Sequence, residues 1–283
     1  MKWRITVLGL IVLTVALAAA ARPRFDGNFS LSVLDVGQGD AIFVRTPDNV
    51  SVLVDGGPGD NILQSLGPVT GFFNRKIDLL ILTHPDADHL EGLIPVLRRF
   101  KVKAVLRTDS VKESAAFAKF EELIRQNNVQ DIKIYQGDIV KLGAASDLYV
   151  LWPPRGELNQ SKPNESSLVA ELAHGNYEFL LTGDIGSATE SKILASVKPE
   201  FIEAEVIKVA HHGSKYSSSL PFLQLARPRV AAVSAGQNNL YGHPTPEVLA
   251  RLQEVGAQIL RTDLSGSIKF LIGGRGLVVT PTR

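Results

Sequence analysis

The chain contains no cysteine among its 283 residues. This absence excludes disulfides, zinc sites built on thiolates and a lipid anchor on an N-terminal cysteine. The chain also lacks a large excess of positive or negative charge, since its formal net charge is +1. Proteins that coat long nucleic acids usually carry a strongly basic face, so the near-neutral total does not favour that function. No repeat, low-complexity tract or linker follows residue 28, and we expect one folded domain over residues 29–283.

The first 24 residues differ in composition from the rest. Lys2 and Arg4 precede an uncharged apolar run of seventeen residues, 5–21, which Arg22-Pro23-Arg24 ends. A basic start, an apolar run and a small-residue end are typical of a secretory signal, and Ala19-Ala20-Ala21 offers a cleavage site. The run also reaches the lower limit for a transmembrane helix, so an uncleaved signal anchor is the alternative. Residues 1–24 thus predict an N-terminal apolar helix on a protein that is exported, to the periplasm or the exterior, or anchored to the outer face of a membrane.

Short apolar runs recur along the rest of the chain, and amphipathic stretches separate several of them. The runs predict strands at residues 31–34, 41–45, 50–54, 77–82, 102–106, 148–151, 167–172, 177–181, 205–209, 229–233 and 267–271. The amphipathic stretches predict helices at residues 89–99, 114–126, 188–197, 220–226 and 246–255. This mixture predicts an α+β fold in which sheets are buried between helical layers.

Polar residues stand just beyond the carboxyl ends of four predicted strands. Asp55 follows SVLV, His84 follows DLLILT, Asp184 follows YEFLLTG, and His211 and His212 follow EVIKVA. Strands that share a direction in a sheet carry such residues to one edge, where the sites of layered folds gather. We therefore expect these side chains to converge.

The segment His84-Pro85-Asp86-Ala87-Asp88-His89 contains four possible metal ligands within six positions. Imidazole together with carboxylate suits zinc, manganese or iron. An alternative interpretation makes Asp88 a helix N-cap, Asp86 a turn residue and the histidines surface groups. Capping does not explain two histidines beside two aspartates, and the segment lacks the glycine that a calcium-binding EF-hand loop requires. The pattern favours a metal site.

Other polar residues are candidates because of this cluster. A Gly-Asp such as Gly183-Asp184 is commonly an ordinary turn, but beside a metal site Asp184 could bridge two cations about 3.5–4 Å apart. We expect one of His211 and His212 to be a ligand and the other a hydrogen-bonding or proton-transfer group. His243 is either a loop residue packed near the following helix or a site residue. We interpret His174, in a predicted hairpin turn, as structural.

Seven motifs together resemble the metallo-β-lactamase superfamily and, within it, the extracytoplasmic hydrolase domain of the ComEC competence family of DNA-uptake proteins. They occur in the order of that family and extend over nearly all of residues 31–271. The motifs are LDVGQGDA (34–41), VDGG (54–57), THPDADH (83–89), NESSLV (164–169), LLTGD (180–184), VAHHGS (209–214) and GHPTPE (242–247).

The resemblance implies a four-layer αββα sandwich with two divalent metal ions, Zn²⁺ or Mn²⁺. One ion would be held by His84 and Asp86, and the other by Asp88, His89 and His212, with His211 as the other candidate and Asp184 as the bridge. The superfamily has a histidine where this chain has Asp86, and another near Asn164; these oxygen ligands favour a harder ion such as manganese beside zinc. Four residues are expected to orient the ligands by hydrogen bonds: Asp55, Asp40, Gln38 and Asn164.

The chemistry implied by the resemblance is attack on a substrate by a water molecule that the ions activate. Asp88 would accept a hydrogen bond from this water, and His211 or His243 would stabilise the charge on the substrate oxygen. The resemblance implies a phosphodiester substrate, a small one or single-stranded DNA. Three basic residues are candidates for phosphate contacts: Lys208, Lys215 and Arg229. Two alternatives remain, a hydrolase of another ester, lactone or amide, and a non-enzymatic binding module.

Overall fold

The computed structural model describes residues 27–71, 74–158, 161–274 and 276–283. The predicted N-terminal helix, residues 1–24, lies outside them. The strands are β1 (Phe29–Val33), β2 (Ile42–Arg45), β3 (Ser51–Val54), β4 (Lys76–Leu82), β5 (Lys101–Arg107), β6 (Gln130–Lys133), β7 (Ile139–Lys141), β8 (Ser146–Trp152), β9 (Val169–His174), β10 (Tyr177–Leu181), β11 (Val206–Lys208), β12 (Val230–Val233), β13 (Gln258–Arg261), β14 (Ile268–Gly273) and β15 (Gly276–Pro281).

The α-helices are α1 (Ile62–Thr70), α2 (Ala87–Leu90), α3 (Leu93–Arg99), α4 (Ala115–Gln126), α5 (Ser187–Ser196), α6 (Leu220–Ala226), α7 (Pro246–Glu254) and α8 (Thr262–Ser265). Short 3₁₀ turns span Pro163–Ser166, Pro199–Phe201 and Ala210–Gly213. Within the described part of the chain, no helix is both long and apolar enough to cross a membrane.

The strands form two sheets, each with an antiparallel half and a parallel half. The first sheet has eight strands in the order β15-β14-β1-β2-β3-β4-β5-β6, and the second has seven in the order β13-β12-β11-β10-β9-β8-β7. Strands β3 to β6 are parallel, and so are β10 to β13. The first strands, β1 to β3, are antiparallel. In each parallel half, the carboxyl ends of the strands therefore lie in a row along the same edge of the sheet.

Three hydrophobic clusters separate four layers. The cluster between the sheets includes Phe29, Phe179 and Phe270. A second packs the first sheet against α1, α3 and α4, and a third packs the second sheet against α5, α6 and α7. In β10, Phe179 belongs to the central cluster and its neighbour Leu180 to the outer one, because successive residues of a strand point to opposite faces. This confirms the predicted two-sheet α+β fold.

The predicted helix at residues 89–99 is wrong as a single element, because α2 begins at Ala87 and α3 begins anew at Leu93. The break lies where the chain passes close to the loop after β3. Gly56 N donates to His89 O at 2.8 Å, and Gly92 N donates to Gly57 O at 2.9 Å. A Cβ on Gly92 would lie 2.0 Å from Gly56 O, so only glycine allows this approach.

Two glutamates on the neighbouring strands β9 and β10, buried Glu171 and half-buried Glu178, make stability depend on pH. Burial, together with the Glu178 carboxyl, raises the pKa of Glu171 to about 8. Burial, together with Glu205, raises the pKa of Glu178 to about 7. Both values exceed the ordinary 4.5, so the unfolded chain loses these protons first. Stability therefore falls as pH rises from about 4.5 through about 8.

Glu171→Gln should raise the melting temperature at pH 9 and change it little near pH 4, because the substitution removes a carboxylate that is ionised in the fold only above its raised pKa. Thermal unfolding followed by circular dichroism across pH 4–9 measures the effect. Glu157→Gln, in an exposed turn, is the control and should show no such trend. A Glu171→Gln benefit that is equal at both ends of the range would contradict the pKa assignment.

Candidate metal centre

The predicted site residues follow parallel strands whose carboxyl ends meet at one edge of both sheets. Asp55 and His84 follow β3 and β4, which are neighbours in the first sheet. Asp184 follows β10, and His211 and His212 follow β11, its neighbour in the second sheet. The expected convergence of these segments is present in the structure.

Four side chains form the centre, which we call the metal cluster: Asp88, His89, Asp184 and His212. One ligand atom of each lies within 4.8 Å of the others. Asp184 Oδ2 is 3.3 Å from both His89 Nε2 and His212 Nε2, and Asp88 Oδ2 is 3.3 Å from His212 Nε2. The side chains of His89, Asp184 and His212 are buried, whereas that of Asp88 is 34% exposed. Asp88 therefore connects the cluster with solvent.

Several polar atoms at the cluster are buried and make no hydrogen bond: Nε2 of His84, His89 and His212, and Oδ1 of Asp184. Each unsatisfied buried atom costs about 1–3 kcal/mol, so proteins retain few of them. A divalent cation that received lone pairs from these atoms would remove the cost. Imidazole nitrogens with carboxylate oxygens suit zinc, manganese or iron. The residues present therefore fit the metal that the resemblance implies.

Protonation in the cluster follows from its charges. Burial lowers the pKa of His89 and of His212, but Asp184, with Asp55 beside His89 and Asp40 beside His212, outweighs burial and raises both pKa values well above the ordinary one. Burial raises the pKa of Asp184, but the same imidazoles outweigh it and hold that pKa well below its usual range. A cation would take the place of the imidazole protons.

Asp55 fixes the orientation of His89 from behind. Its Oδ2 is 2.8 Å from His89 Nδ1, and its two oxygens accept hydrogen bonds from Thr83 N at 2.8 Å and Thr83 Oγ1 at 2.6 Å. With Nδ1 engaged by a carboxylate, Nε2 of His89 is directed at Asp184. This is the usual way in which a protein orients an imidazole ligand, and it is the geometry expected for Asp55.

Asp40 lies behind His212 and also pairs with a buried lysine. Asp40 Oδ1 is 3.2 Å from His212 Nδ1, which lies 3.0 Å from Ser234 O as well. Asp40 Oδ2 is 2.7 Å from Lys208 Nζ, and both side chains are almost fully buried. The expectation that Lys208 contacts phosphate is therefore wrong, because its ammonium is committed inside the fold.

The turn that carries His211 and His212 has an unusual backbone. Both residues have positive φ, 50° and 53°, a conformation that costs non-glycine residues energy and is concentrated at functional sites. The two side chains point to different surroundings: His212 is buried in the cluster, whereas His211 is 33% exposed with Nε2 3.9 Å from Asp184 Oδ2. This geometry favours His212 as the ligand and leaves His211 at the rim.

The rim also contains Asn164 and His243. Asn164 Nδ2 is 3.4 Å from His211 Nε2, so the carboxamide contacts the rim imidazole. The rings of His211 and His243 are 5.8 Å apart, and Tyr241 stacks on His243 at 5.8 Å. The structure thus brings His243, for which the sequence left two interpretations, to the mouth of the site.

Asp86 and His84 lie beside the cluster. The His84 and His89 rings are 4.1 Å apart, and burial with the nearby His89 lowers the pKa of His84 to about 4. Asp86 Oδ2 is 3.8 Å from His84 Nε2, while its Oδ1 is 2.7 Å from Lys112 Nζ. Lys112 was not predicted from the sequence, because a single lysine in a loop carries no recognisable pattern.

Two other expectations are wrong. Gln38 Oε1 accepts a hydrogen bond from Gly236 N at 3.0 Å, so it joins two loops and does not orient an imidazole. Arg229 is exposed but directly precedes β12, at the end of the strand opposite the site, and so cannot contact a substrate there. Lys215 is exposed three residues after His212 and stays a candidate for a phosphate contact.

A sequence profile of the metallo-β-lactamase superfamily matches residues 34–237. The chain therefore belongs to the metallo-β-lactamase superfamily, a superfamily of metal-dependent hydrolases.

Within that superfamily, the chain is similar to bacterial competence proteins. It is 31% identical over 288 residues to ComE operon protein 3 of Bacillus subtilis, and the match covers 94% of this chain and 36% of that protein. It is 30% identical over 269 residues to competence protein ComA of Neisseria gonorrhoeae, covering 94% and 36%. The chain thus spans about a third of the length of these relatives.

Solved structures show the same fold at low sequence identity. The metallo-β-lactamase fold protein YhfI from Bacillus subtilis matches with a TM-score of 0.59 at 12% identity, covering 86% of this chain and 99% of that one. Igni18, a metallo hydrolase from Ignicoccus hospitalis, matches with a TM-score of 0.54 at 16% identity, covering 85% and 98%. These matches establish the architecture alone.

Asp40→Ala should destabilise the fold by about 3–5 kcal/mol, because it leaves the Lys208 ammonium buried without a partner, and the double variant Asp40→Ala/Lys208→Met should recover most of that loss. Urea unfolding of the metal-free proteins measures both. Asp147→Ala, which removes the partner of the exposed Lys141, is the matched control and should cost less than about 1 kcal/mol. Equal losses for Asp40→Ala and Asp147→Ala would contradict the role assigned to the buried pair.

Proposed function

We propose that this metal-dependent hydrolase cleaves phosphodiester bonds with two divalent cations, Zn²⁺ or Mn²⁺. The observation that carries the proposal is the convergence of unsatisfied, buried imidazole and carboxylate atoms on Asp184. One cation would lie among Asp88, His89, Asp184 and His212. The other would lie beside His84 and Asp86, with Asp184 between the two.

Divalent cations in such a site supply a water-derived nucleophile at neutral pH and offset negative charge on a phosphoryl oxygen. The protein's own groups complete the chemistry. Asp88 is the cluster carboxylate with access to solvent, so it can accept a hydrogen bond from the attacking water and align it. His211, partly exposed and 3.9 Å from Asp184, is placed to donate to a substrate oxygen as its charge increases.

The rim supports an anionic substrate. Lys112 is 42% exposed next to Asp86, and Lys215 lies on the surface beyond His212. His243, whose pKa is lowered by burial and by His211, offers a neutral imidazole at the mouth. Cationic and hydrogen-bonding groups around a metal cluster bind a negatively charged phosphate ester better than an uncharged, apolar ester.

We extend the proposal to single-stranded DNA as substrate and to a location outside the cytoplasmic membrane. The resemblance to the ComEC family and the names of the competence relatives support the first. The basic and apolar composition of residues 1–24 supports the second, as either a cleaved signal or an anchor to the outer face.

A hydrolase of lactones or other esters is the second candidate, since the same cations would activate water for those substrates and the net charge of +1 does not demand a polyanion.

A substrate panel separates the two candidates. The full chain, loaded with Mn²⁺ or Zn²⁺, is assayed on single-stranded DNA, bis-phenyl phosphate and a lactone. Turnover of the phosphodiesters alone supports the proposal, whereas turnover of the lactone alone contradicts it. A protein that retains no divalent ion would instead be a non-enzymatic module.

Asp184→Ala should reduce turnover by at least about 10²-fold, because it removes the carboxylate that would hold the cations and even residues that only support metal ligands change activity by about 10–100-fold, while the fold persists. Steady-state kinetics with circular dichroism measure both properties. Asp147→Ala, at the far end of the second sheet, serves as the control. Near-wild-type turnover of the Asp184→Ala protein would refute the bridging role.

A further inference from the structure

Asp86 has a cation for a neighbour, in contrast to the ligands of the metal cluster. His89 and His212 are each held from behind by a carboxylate, Asp55 or Asp40, which directs the imidazole at the centre. Asp86 is instead held by Lys112, whose Nζ lies 2.7 Å from Oδ1. Its second oxygen is 3.8 Å from His84 Nε2.

Lys112 is positioned by a well-anchored loop between β5 and α4. Thr108 and Ser110 in this loop are buried, and Ser110 N donates to Thr108 Oγ1 at 3.1 Å. Ser114 ends the loop, donating from its N to Lys112 O at 2.9 Å and accepting at Oγ from Phe117 N at 3.1 Å. Since β4 and β5 are parallel neighbours, this loop lies directly beside the loop that carries Asp86.

The two parts of the site are therefore unequal. The atoms of the metal cluster lie within 4.8 Å of one another, and neither His84 nor Asp86 is among them. A cation beside His84 needs the Asp86 carboxylate, and the Lys112 ammonium already occupies one of its oxygens. Two positive charges that compete for one carboxylate repel each other, most strongly in a partly buried site.

We infer that Lys112 competes with the cation at His84 and Asp86, so that this position binds metal more weakly than the Asp88, His89, Asp184 and His212 position. The ammonium supplies the positive charge beside Asp86 when that cation is absent. This inference rests on the proposed function and identifies Lys112 as a positioning residue, which acts through Asp86.

The test is a calorimetric titration of metal-free full chain with Mn²⁺, and it needs no substrate. The wild-type protein should show one tight class of site and a second class that is weaker or too weak to detect. Lys112→Met, which keeps the length of the side chain without its charge, should tighten the second class by at least about 10-fold, the scale on which residues that contact ligands change metal affinity. The tight class should remain unchanged.

Two variants serve as controls. Lys112→Arg keeps the positive charge and should leave the second class weak. Lys76→Met removes another lysine–aspartate pair, Lys76 Nζ to Asp78 Oδ1 at 2.9 Å, at the start of β4 and thus at the opposite end of the strand; it should alter neither class.

The inference is overturned if the wild-type protein binds both ions with equal affinity, or if Lys112→Met leaves the second class unchanged or weaker. These results would leave the tight class, and with it the proposed hydrolase, intact. A wild-type protein that binds no Mn²⁺ or Zn²⁺ at all would instead refute the proposed function, so the two failures are distinguishable.

Discussion

The site depends on one electrostatic arrangement, the buried carboxylate of Asp184 between the imidazoles of His89 and His212. Asp184 and His212 come from the second sheet and His89 from the first, so this contact also joins the two halves of the molecule at their shared edge. A lone buried carboxylate would be neutralised by a rise in its pKa. Here the neighbouring positive charge keeps it ionised, which is the state in which it can bind a cation.

Each sheet supplies one imidazole, and both supporting carboxylates come from the first sheet. Asp55 supports His89 in the first sheet, and Asp40, from the loop after β1, supports His212 across the interface. Asp40 is in turn neutralised by Lys208, a residue of β11. The polar interior at this edge is therefore a network of paired charges, and the atoms directed at the metal position are among those left without hydrogen bonds.

Most of the fold could be predicted from the sequence, because strands such as β4 and β10 end in continuous apolar runs, which are typical of strands covered on both faces. The strands β6, β7, β13 and β15 were not predicted. Strands β6 and β7 have only four and three residues, too few to show a pattern, and they are stabilised by pairing with a neighbour and not by their own composition. The site residues in the HPDADH segment were identifiable because several ligand types are close together in sequence. Lys112 and the Asp40–Lys208 pair could not be found in this way, since their partners are 26 and 168 positions distant. The pairing of β4 with β5 brings the first pair together, and the packing of one sheet on the other brings the second together.

The close approach of Gly56 and Gly92 has a consequence for variation in this protein. Neither glycine has a side chain that could reach a metal or a substrate, yet their backbones hold α2 against the loop after β3. Adding a single methyl group at either position would force α2 away and carry Asp88 and His89 with it. Some of the substitutions most damaging to the metal cluster are therefore expected at positions that contribute no functional atom, and a search for important residues limited to charged or polar side chains would overlook them.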